Sequence, residues 1–563
     1  MSTSLDAVNA TEDQLNAQDQ QLTHPRAQNQ PHRSWSDHIV TVRKALDLEI
    51  SAVTVQLCSL RTRYNDVAHV NRLPSEILAH IFGYLQDLDK PRYNLGWLQV
   101  THVCHQWRTA ALDHASLWSD ILCDFGPRWA EKFLHRSRMA PISFVYPTVR
   151  IAHGRTEIDV VDVLTQHLCH MQELDITVSG KKHEDTAPII STLQRPAPLL
   201  EEAFIYNTGT FTPTLPRDIF AHSAPQLRLL NIWSFNVEWS SLTFDNLVQL
   251  HVGAHSTISG PEGFEQFLAA LARMPALEVL ELRYAVSGLL GSVSPHSYAG
   301  LTTFPKLHKF TLKDNVAACA TALKHMAIAP TMVVDVECLS DSTDERSSNH
   351  IIPWLTSYIG VHQITSTIDV AFRPRGFEIY ISEGFVASVG QPAGDRSFRL
   401  CVKYIAREEV VDELSAVFQV LPGLERLEAL SITAQGVGPG TQDWFFTFGK
   451  CYNLHKLEIQ LPLENGDSLW TALGQVFPNS LDGDHTELLF PSLAFLTLRG
   501  DGSGHEINTV DGKLTGWIKH RKSFAPLQTI EVLECRRHFS LVCELRTLVP
   551  KLIWNGKQIS GQP

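Results

Sequence analysis

One short loop of this 563-residue chain contains the residue types of a nucleophilic hydrolase. Gly500 to Glu506 reads Gly-Asp-Gly-Ser-Gly-His-Glu, which places a hydroxyl, an imidazole and two carboxylates next to one another. A serine nucleophile needs a base that a rigid scaffold holds within hydrogen-bond reach. A glycine-rich loop does not provide such a scaffold, and glycine with aspartate is also the composition of a tight turn. We therefore interpret the loop as a turn, and a hydrolase centred on Ser503 as the last-ranked alternative.

Two other clusters contain the residue types of metal ligands. They are His102, Cys104 and His105, and His167, Cys169 and His170. Both fall on predicted helices, where residues three apart share a face but residues two apart do not, so three ligands would not converge. The chain also lacks the phosphate loop, the dinucleotide fingerprint, His-Glu-x-x-His and Gly-x-Ser-x-Gly. We predict no metal, no cofactor and no enzymatic activity.

Composition narrows the class of protein further. The hydrophobic share of 44% permits a large core, whereas the formal net charge of −13 disfavours a nucleic-acid surface or a polybasic membrane anchor. The ten cysteines are scattered singly, which favours reduced thiols. Neither a signal peptide nor an apolar run of about 20 residues is present in the sequence, so we expect location in the cytoplasm or nucleus.

The first 70 residues divide into two predicted segments. Residues 1–33 are polar and poor in aromatic and β-branched side chains, which predicts a disordered tail. Residues 34–70 form a predicted long amphipathic helix, whose apolar stripe is Ile39, Val42, Leu46, Ile50, Val53, Leu57 and Leu60. The stripe fits two arrangements: packing on a neighbouring domain, which we favour, and a dimeric coiled coil through residues 36–65.

Residues 71–121 contain two further apolar stripes at helical spacing. Pro74 suits the first position of a helix, and Glu76 complements the positive end of its dipole. The stripes are Ile77, Leu78, Ile81, Phe82 and Leu85, then Val100, Val103, Cys104, Trp107 and Ala111, followed by Leu117-Trp118. Fifty residues bury their apolar surface poorly when alone, so this segment needs a partner.

These residues, in this order, resemble the F-box, the three-helix module of cullin-RING ubiquitin ligase receptors. The resemblance implies docking on a Skp-type adaptor and, through it, on a cullin. If the resemblance holds, the residues expected to bind the adaptor are Leu73, Pro74, Glu76, Ile77, Ile81, Phe82, Leu85, Val103, Cys104, Trp107, Leu117 and Trp118. The connection Gln86 to Trp97 is longer than the family pattern, and an ordinary helical hairpin is the alternative interpretation.

A loose Leu-x-x-Leu-x-Leu motif recurs after Trp118. It begins at Leu200, Leu227, Leu247, Leu277, Leu307, Leu427, Leu454, Leu493 and Leu527. This spacing resembles leucine-rich repeats, which implies a strand in each unit and, with the intervening helical segments, an irregular α/β solenoid with a parallel sheet. We predict repeat halves at 122–336 and 406–555 and a tail at 556–563. A conventional mixed α/β domain is the alternative.

The fold class we predict is therefore α+β to α/β, with a small helical F-box-like module before the repeat solenoid. Residues 337–405 interrupt the motif with a polar run and three predicted strands, either degenerate repeats or an inserted hairpin. Outward strand positions form the candidate target-binding face: Arg228, Asn231, Trp233, His251, Glu281, Arg283, Thr311, Lys313, Glu458, Gln460 and Arg499. Together the two ends resemble a fungal-type substrate receptor of an SCF ubiquitin ligase; a repeat scaffold without a ligase role is the alternative.

Overall fold

The computed structural model of the chain divides into two compact units, and the boundary falls between Leu117 and Trp118. It describes residues 33–91, 94–146, 158–242, 244–254, 258, 260–287, 302–329, 332–340, 347–361, 367–382, 398–435, 438–461, 466–478, 486–500, 511–536 and 539–559. Residues 1–32 of the predicted disordered tail, most of the Ser503 loop, part of the polar run and residues 560–563 of the final tail lie outside these ranges. No helix in the described ranges combines the length and apolarity needed to cross a bilayer.

A 3-10 helix at Ala115–Trp118 spans the boundary, and three α-helices and two 3-10 helices lie wholly within the described part of the first unit. They are α1 (Arg33–Asp66), a 3-10 helix at His69–Arg72, α2 (Ser75–Leu88), a 3-10 helix at Gly96–His102 and α3 (His105–Asp113). Pro74 precedes α2 rather than opening it, because its ψ of 152° is extended. The packing that we favoured for α1 is not observed in the described chain, since every side chain from Asp37 to Tyr64 is exposed.

The second unit contains one 18-stranded sheet. Its strands are β1 (Asp120–Ile121), β2 (Ile142–Tyr146), β3 (Met171–Val178), β4 (Glu202–Asn207), β5 (Leu229–Trp233), β6 (Gln249–Gly253), β7 (Val279–Arg283), β9 (Lys309–Asn315), β11 (Val333–Leu339), β12 (Thr367–Arg373), β13 (Gly376–Ser382), β14 (Phe398–Lys403), β15 (Ala429–Ala434), β16 (Lys456–Gln460), β19 (Phe495–Arg499), β20 (Thr529–Leu533), β21 (Lys551–Trp554) and β22 (Lys557–Gln558). Two small pairs are separate: β8 (Thr302–Thr303) with β10 (Met326–Ala327), and β17 (Val476–Pro478) with β18 (Thr486–Leu488).

Each Leu-x-x-Leu-x-Leu motif runs into a strand, and neighbouring strands are parallel and in register. Leu230 of β5 is level with Leu250 of β6, which is level with Leu280 of β7. These side chains are fully buried, and the residues between them face the opposite side of the sheet. The regular leucine spacing therefore places one continuous apolar layer beneath the sheet.

The strands of residues 337–405 are inserted into this sheet in reverse order. β14 pairs with β11 in parallel, β13 is antiparallel to β14 and β12, and β12 is parallel to β15. The spatial order is therefore β11, β14, β13, β12, β15. The sequence left open degenerate repeats or an inserted hairpin. The structure shows the hairpin, which β12 and β13 form.

Helices connect many of the strands of the second unit. They are α4 (Pro127–Ser137), α5 (Val160–His167), α6 (His183–Thr192), α7 (Gly260–Ala272), α8 (Val316–Lys324), α9 (Ser347–Val361), α10 (Val410–Val420), α11 (Thr441–Phe448), α12 (Gly466–Gly474), α13 (Asp511–Arg521) and α14 (Phe539–Leu548). From α8 to α14 each helix packs on the next. A large mixed α/β sheet domain thus follows a helical module, as the fold class predicted at this level.

Candidate functional site

Helix α2 has three distinct faces. Leu78, Phe82 and their neighbours on one face are buried in the first unit. A second face is apolar yet exposed, with Ile77 at 46% and Ile81 at 39% of their full exposure, and it continues through Tyr84 and Leu88. Because side chains three and four residues apart lie side by side on a helix, these four form one strip. The sequence had placed Ile77, Ile81 and Phe82 on a single stripe, and the structure separates them.

The other predicted adaptor-binding residues divide by burial in the same way. Those that are exposed are Pro74, Glu76, Ile77, Ile81 and Val103; those that are half-buried are Leu73, Leu85, Cys104 and Trp107; and those that are buried are Phe82, Leu117 and Trp118. Leu117 ends the first unit and Trp118 begins the second, where its ring packs 4.8 Å from that of Phe133. The side chains of the buried residues are therefore not available for direct contact with a partner.

Asn71 links the elements around this strip, and sequence reasoning did not assign it a role. Its side-chain nitrogen donates to the carbonyl of Asn65 at the end of α1 (2.8 Å), and its side-chain oxygen accepts from Trp107 Nε1 (2.8 Å). Its backbone carbonyl accepts from Gln106 Nε2 at 2.7 Å. Trp107 in turn packs against Phe82, with ring centroids 5.2 Å apart. Asn71 therefore connects α1 to α3 two residues before the Leu73-Pro74 start. Its position two residues before Leu73-Pro74 was the signal that the sequence offered.

The long connection after α2 closes through a glycine. Gly96 has φ of +48°, and an added Cβ would collide with the carbonyl oxygen of Asp89 and lie 2.9 Å from Pro91 N. The neighbouring Trp97 N–H donates to the same Asp89 carbonyl at 3.0 Å. Only glycine permits both the left-handed backbone and this approach. The bond between Trp97 and Asp89 therefore brings the end of the long connection back to the end of α2.

We expect Gly96→Ala to lower the free energy of unfolding of the first unit by about 2 kcal/mol, because it combines a positive φ with a backbone collision. Hydrogen exchange of α2 and α3 amides measures the loss. The matched control is Gly83→Ala within α2, where an added Cβ meets nothing within 4 Å. That control should gain about 0.5–1 kcal/mol from helix propensity. Equal effects at the two glycines would contradict the assignment of strain to Gly96.

The polar third face of α2 borders a groove of about 490 Å³. Its lining includes Glu76, His80, Asp87 and His114. The pKa of the Glu76 carboxyl is lowered by a hydrogen bond from its own backbone N–H and by one from the Ser75 side chain. An anionic Glu76 in the first turn stabilises the helix start.

Comparison with known families identifies this arrangement. Residues 70–124 match the F-box-like family model. The F-box-like domain thus includes the whole of residues 71–121, together with the exposed strip, Asn71 and Gly96. No curated protein matches the chain.

Beyond the F-box-like domain, the sheet aligns most of the predicted target-binding residues in two rows. Asn231, His251, Glu281 and Thr311 are cross-strand neighbours in one row, and Trp233, Gly253, Arg283 and Lys313 in the next. The indole of Trp233 covers Gly253, where any Cβ would collide with the ring. Arg228 is exposed just before β5, and Gln460 is half-buried on β16.

Strand alternation predicted that the side chains of Glu458 and Arg499 are exposed, and this prediction is wrong. Each side chain is only 6% exposed, and Arg499 Nε lies 2.9 Å from Glu458 Oε1. A second contact joins Arg499 to Glu534 at 2.9 Å. Opposite charges on adjacent strands neutralise each other, so these positions can be buried although they face away from the leucine layer.

A larger charged cluster lies where the inserted strands join the sheet, and sequence reasoning found only Lys313 of it. Arg399 on β14 donates to Asp335 on β11 at 2.7 Å and lies 3.4 Å from Glu378 on β13. Lys313 and Lys403 both contact Glu337, at 2.8 and 2.9 Å. Arg373 and Tyr380 complete it by donating to Glu378, at 3.1 and 2.6 Å. The alternation of Asp335 and Glu337 with valines could have indicated that both carboxylates lie on one face of a strand. The order of the strands, which brings the cations to them, could not be derived from the sequence.

We expect Arg399→Met to lower the free energy of unfolding of the second unit by about 2 kcal/mol, because it removes the cation that contacts Asp335 and one of the two arginines at the buried Glu378. Urea unfolding with hydrogen exchange of β11 and β14 measures this. Lys403→Met is the matched control, since Lys403 is 40% exposed and Glu337 keeps Lys313. It should cost less than about 1 kcal/mol. Equal losses would show that the cluster is held by packing alone.

The same cluster predicts loss of stability in acid. Burial would raise the pKa of Glu337, but hydrogen bonds from Lys313 and Lys403 bring it below its ordinary 4.5. Burial is likewise outweighed at Glu378, whose pKa is lowered by Tyr380 and its two arginines. The unfolded chain therefore binds more protons as the pH falls through 4.5, and stability present above that pH is lost below it. Urea midpoints between neutral pH and about pH 3.5 should fall, with a shallower slope in Glu337→Gln; identical slopes would contradict this.

Of the two clusters considered as metal ligands, His167 and His170 have identifiable hydrogen-bond surroundings. His167 Nδ1 lies 3.0 Å from His170 Nε2, and His170 Nδ1 lies 2.8 Å from the Ala140 carbonyl, to which it must donate. Burial and the neighbouring imidazole lower the pKa of His167. Cys169 is exposed, and no group of three His, Cys, Asp or Glu side chains suited to a metal ion occurs in the part of the chain that the structure describes. Most of the Ser503 loop lies outside that part.

Proposed function

We propose that this chain is a substrate receptor of an SCF-type ubiquitin ligase. Its F-box-like domain would dock on a Skp-type adaptor, which links it to a cullin, and its sheet domain would bind the protein to be ubiquitinated. The observation that carries the proposal is the match of residues 70–124, on which Ile77 and Ile81 form an exposed apolar strip. An uncovered apolar strip is the usual mark of a protein-binding surface. It favours the receptor over a scaffold with no ligase role.

The chemistry of such a receptor is proximity. A bound target is held near the ubiquitin-charged enzyme, so the encounter becomes effectively intramolecular and the receptor needs no acid, base or nucleophile. We infer no catalytic residue in this chain.

The sheet domain is, in this proposal, an irregular leucine-rich-repeat-like solenoid. Its support is the succession of parallel strands in register, joined in many cases by helices that pack in sequence. The inserted antiparallel strands depart from a regular repeat. Target binding would use the two cross-strand rows and the adjoining charged cluster, where Trp233 supplies an aromatic anchor and Arg283 an exposed cation.

Docking can be tested with the purified full chain and a purified Skp-type adaptor. The proposal expects a 1:1 complex in size-exclusion chromatography, and ubiquitin transfer to bound proteins once cullin and charged enzyme are added. A parent chain that does not bind the adaptor at concentrations of about 10 µM would refute the receptor function and leave the scaffold.

The target-binding end needs a separate comparison. Proteins that co-purify with the parent chain should be depleted in Arg283→Glu, which reverses a charge in the second row. Arg217→Glu is the matched control, because Arg217 is exposed outside the sheet, where it pairs with Glu238. Equal depletion by both variants, or by neither, would contradict target binding at these rows without affecting adaptor docking.

A further inference from the structure

Helix α1 carries an apolar seam that the described chain leaves exposed. The seam repeats every seven residues: Ile39, Leu46, Val53 and Leu60 occupy one core position of the heptad, and Arg43, Ile50, Leu57 and Tyr64 the other. These side chains are all exposed, although α1 extends unbroken from Arg33 to Asp66. A sustained heptad seam needs a second helix, and its charges indicate which one.

The flanking charges of the seam are divided along the helix. Asp47 and Glu49 flank its N-terminal half, and Arg61 and Arg63 its C-terminal half. An antiparallel pair of identical helices therefore brings the acids of each copy towards the bases of the other. From this complementarity we propose that two copies of this chain associate through an antiparallel coiled coil of residues 46–64.

One register satisfies the core and the charges together. In this register the two-fold axis that relates the two copies passes at the level of residue 55. Ile50 then lies opposite Leu60 of the second copy, and Val53 lies opposite Leu57. Leu46 and Tyr64 close both ends, so each of the six core layers is apolar. In an antiparallel coiled coil the flanking contacts join equivalent heptad positions. This register pairs Asp47 with Arg61 and Glu49 with Arg63, twice each by symmetry, and leaves Arg43 outside the core.

The competing arrangements lose these features. A parallel pair places Arg43 against Arg43 in the core and puts the neutral Thr54 beside Glu49. An antiparallel register shifted by one step towards the N-terminus sets Arg43 opposite Leu60 in the core. A register shifted by two steps brings Glu49 of one copy against Glu49 of the other. Like charges at flanking positions are unfavourable, and a buried unpaired cation more so. The antiparallel register centred on residue 55 is therefore favoured.

The test is the mass of the full chain in sedimentation equilibrium, without adaptor. The parent should exceed the 63.0 kDa of one chain and approach twice that mass with rising concentration. Asp47→Arg with Glu49→Arg, and separately Arg61→Glu with Arg63→Glu, should each weaken self-association at least about tenfold, because four ion pairs become repulsions. An equimolar mixture of these two charge variants should restore it. Circular dichroism checks that α1 remains helical in each.

Leu48→Arg with Val55→Arg is the matched control, since both residues face away from the seam and the dimer should persist. A parent chain that remains monomeric at about 100 µM would overturn the proposal. So would a mixture of the two charge variants that stays monomeric, because only the antiparallel register restores the pairs on mixing. Self-association does not depend on adaptor docking, so either proposal can fail alone.

Discussion

Replacing both Ile77 and Ile81 with aspartate should abolish adaptor capture while the F-box-like domain remains folded. The two side chains are 46% and 39% exposed, so the change removes far less packing than truncation of a buried residue such as Phe82 would. In a complex, however, it would bury two carboxylates against an apolar partner surface, which costs far more than the lost apolar contact. We expect affinity for a Skp-type adaptor to fall at least about hundredfold, measured by isothermal titration calorimetry.

The control for this double variant is His80→Asp, which adds a carboxylate to the polar face of the same helix. His80 is exposed and borders the groove with Glu76 and Asp87. Because His80 lies on the polar face and not on the Ile77–Ile81 strip, this variant should weaken adaptor binding far less than the isoleucine variant, by less than about tenfold. If His80→Asp abolished binding and the isoleucine variant did not, the docking surface would be the polar face.

Phe82→Ala should have the opposite signature, with a large loss of stability. Phe82 is fully buried and packs against Trp107, which Asn71 holds by a hydrogen bond. Truncating a buried phenylalanine removes its transfer free energy and leaves a cavity, at a cost of about 3–5 kcal/mol. A small helical module has little stability in reserve. Hydrogen exchange of α2 and α3 should show extensive opening, and adaptor binding should fall because the strip is no longer displayed.

Two variants separate this effect from loss of a contact. Phe82→Leu keeps most of the volume and should recover much of the stability and binding. Ile81→Ala, one residue earlier, should leave hydrogen exchange unchanged and weaken binding alone. Protection in Phe82→Ala equal to that of the parent would contradict the structural role of Phe82.

Local patterns in the sequence predicted much of the second unit. Leucine spacing identified strands such as β5, β6 and β7, because a residue pair two apart on one sheet face must be apolar when that face is buried. The same alternation predicted that Glu458 and Arg499 are exposed, and it was wrong because each neutralises the other. The insertion of β14, β13 and β12 between β11 and β15 brought Arg399 to Asp335. No local pattern records such strand order, since pairing depends on contacts between residues far apart in sequence.

In the F-box-like domain, the motif order in the sequence was enough to locate the module and to select its candidate residues. The order of Leu73-Pro74, Phe82, Trp107 and Leu117 resembles the F-box, and the family match over residues 70–124 supports that resemblance, whereas helical spacing alone would fit an ordinary hairpin equally well. The tertiary structure decided which of these residues are accessible: neighbours on one predicted stripe, Ile81 and Phe82, face solvent and core respectively. Periodicity fixes the angle between two side chains on a helix but not where the rest of the module packs. That packing leaves Ile81 exposed and buries Phe82 beneath it.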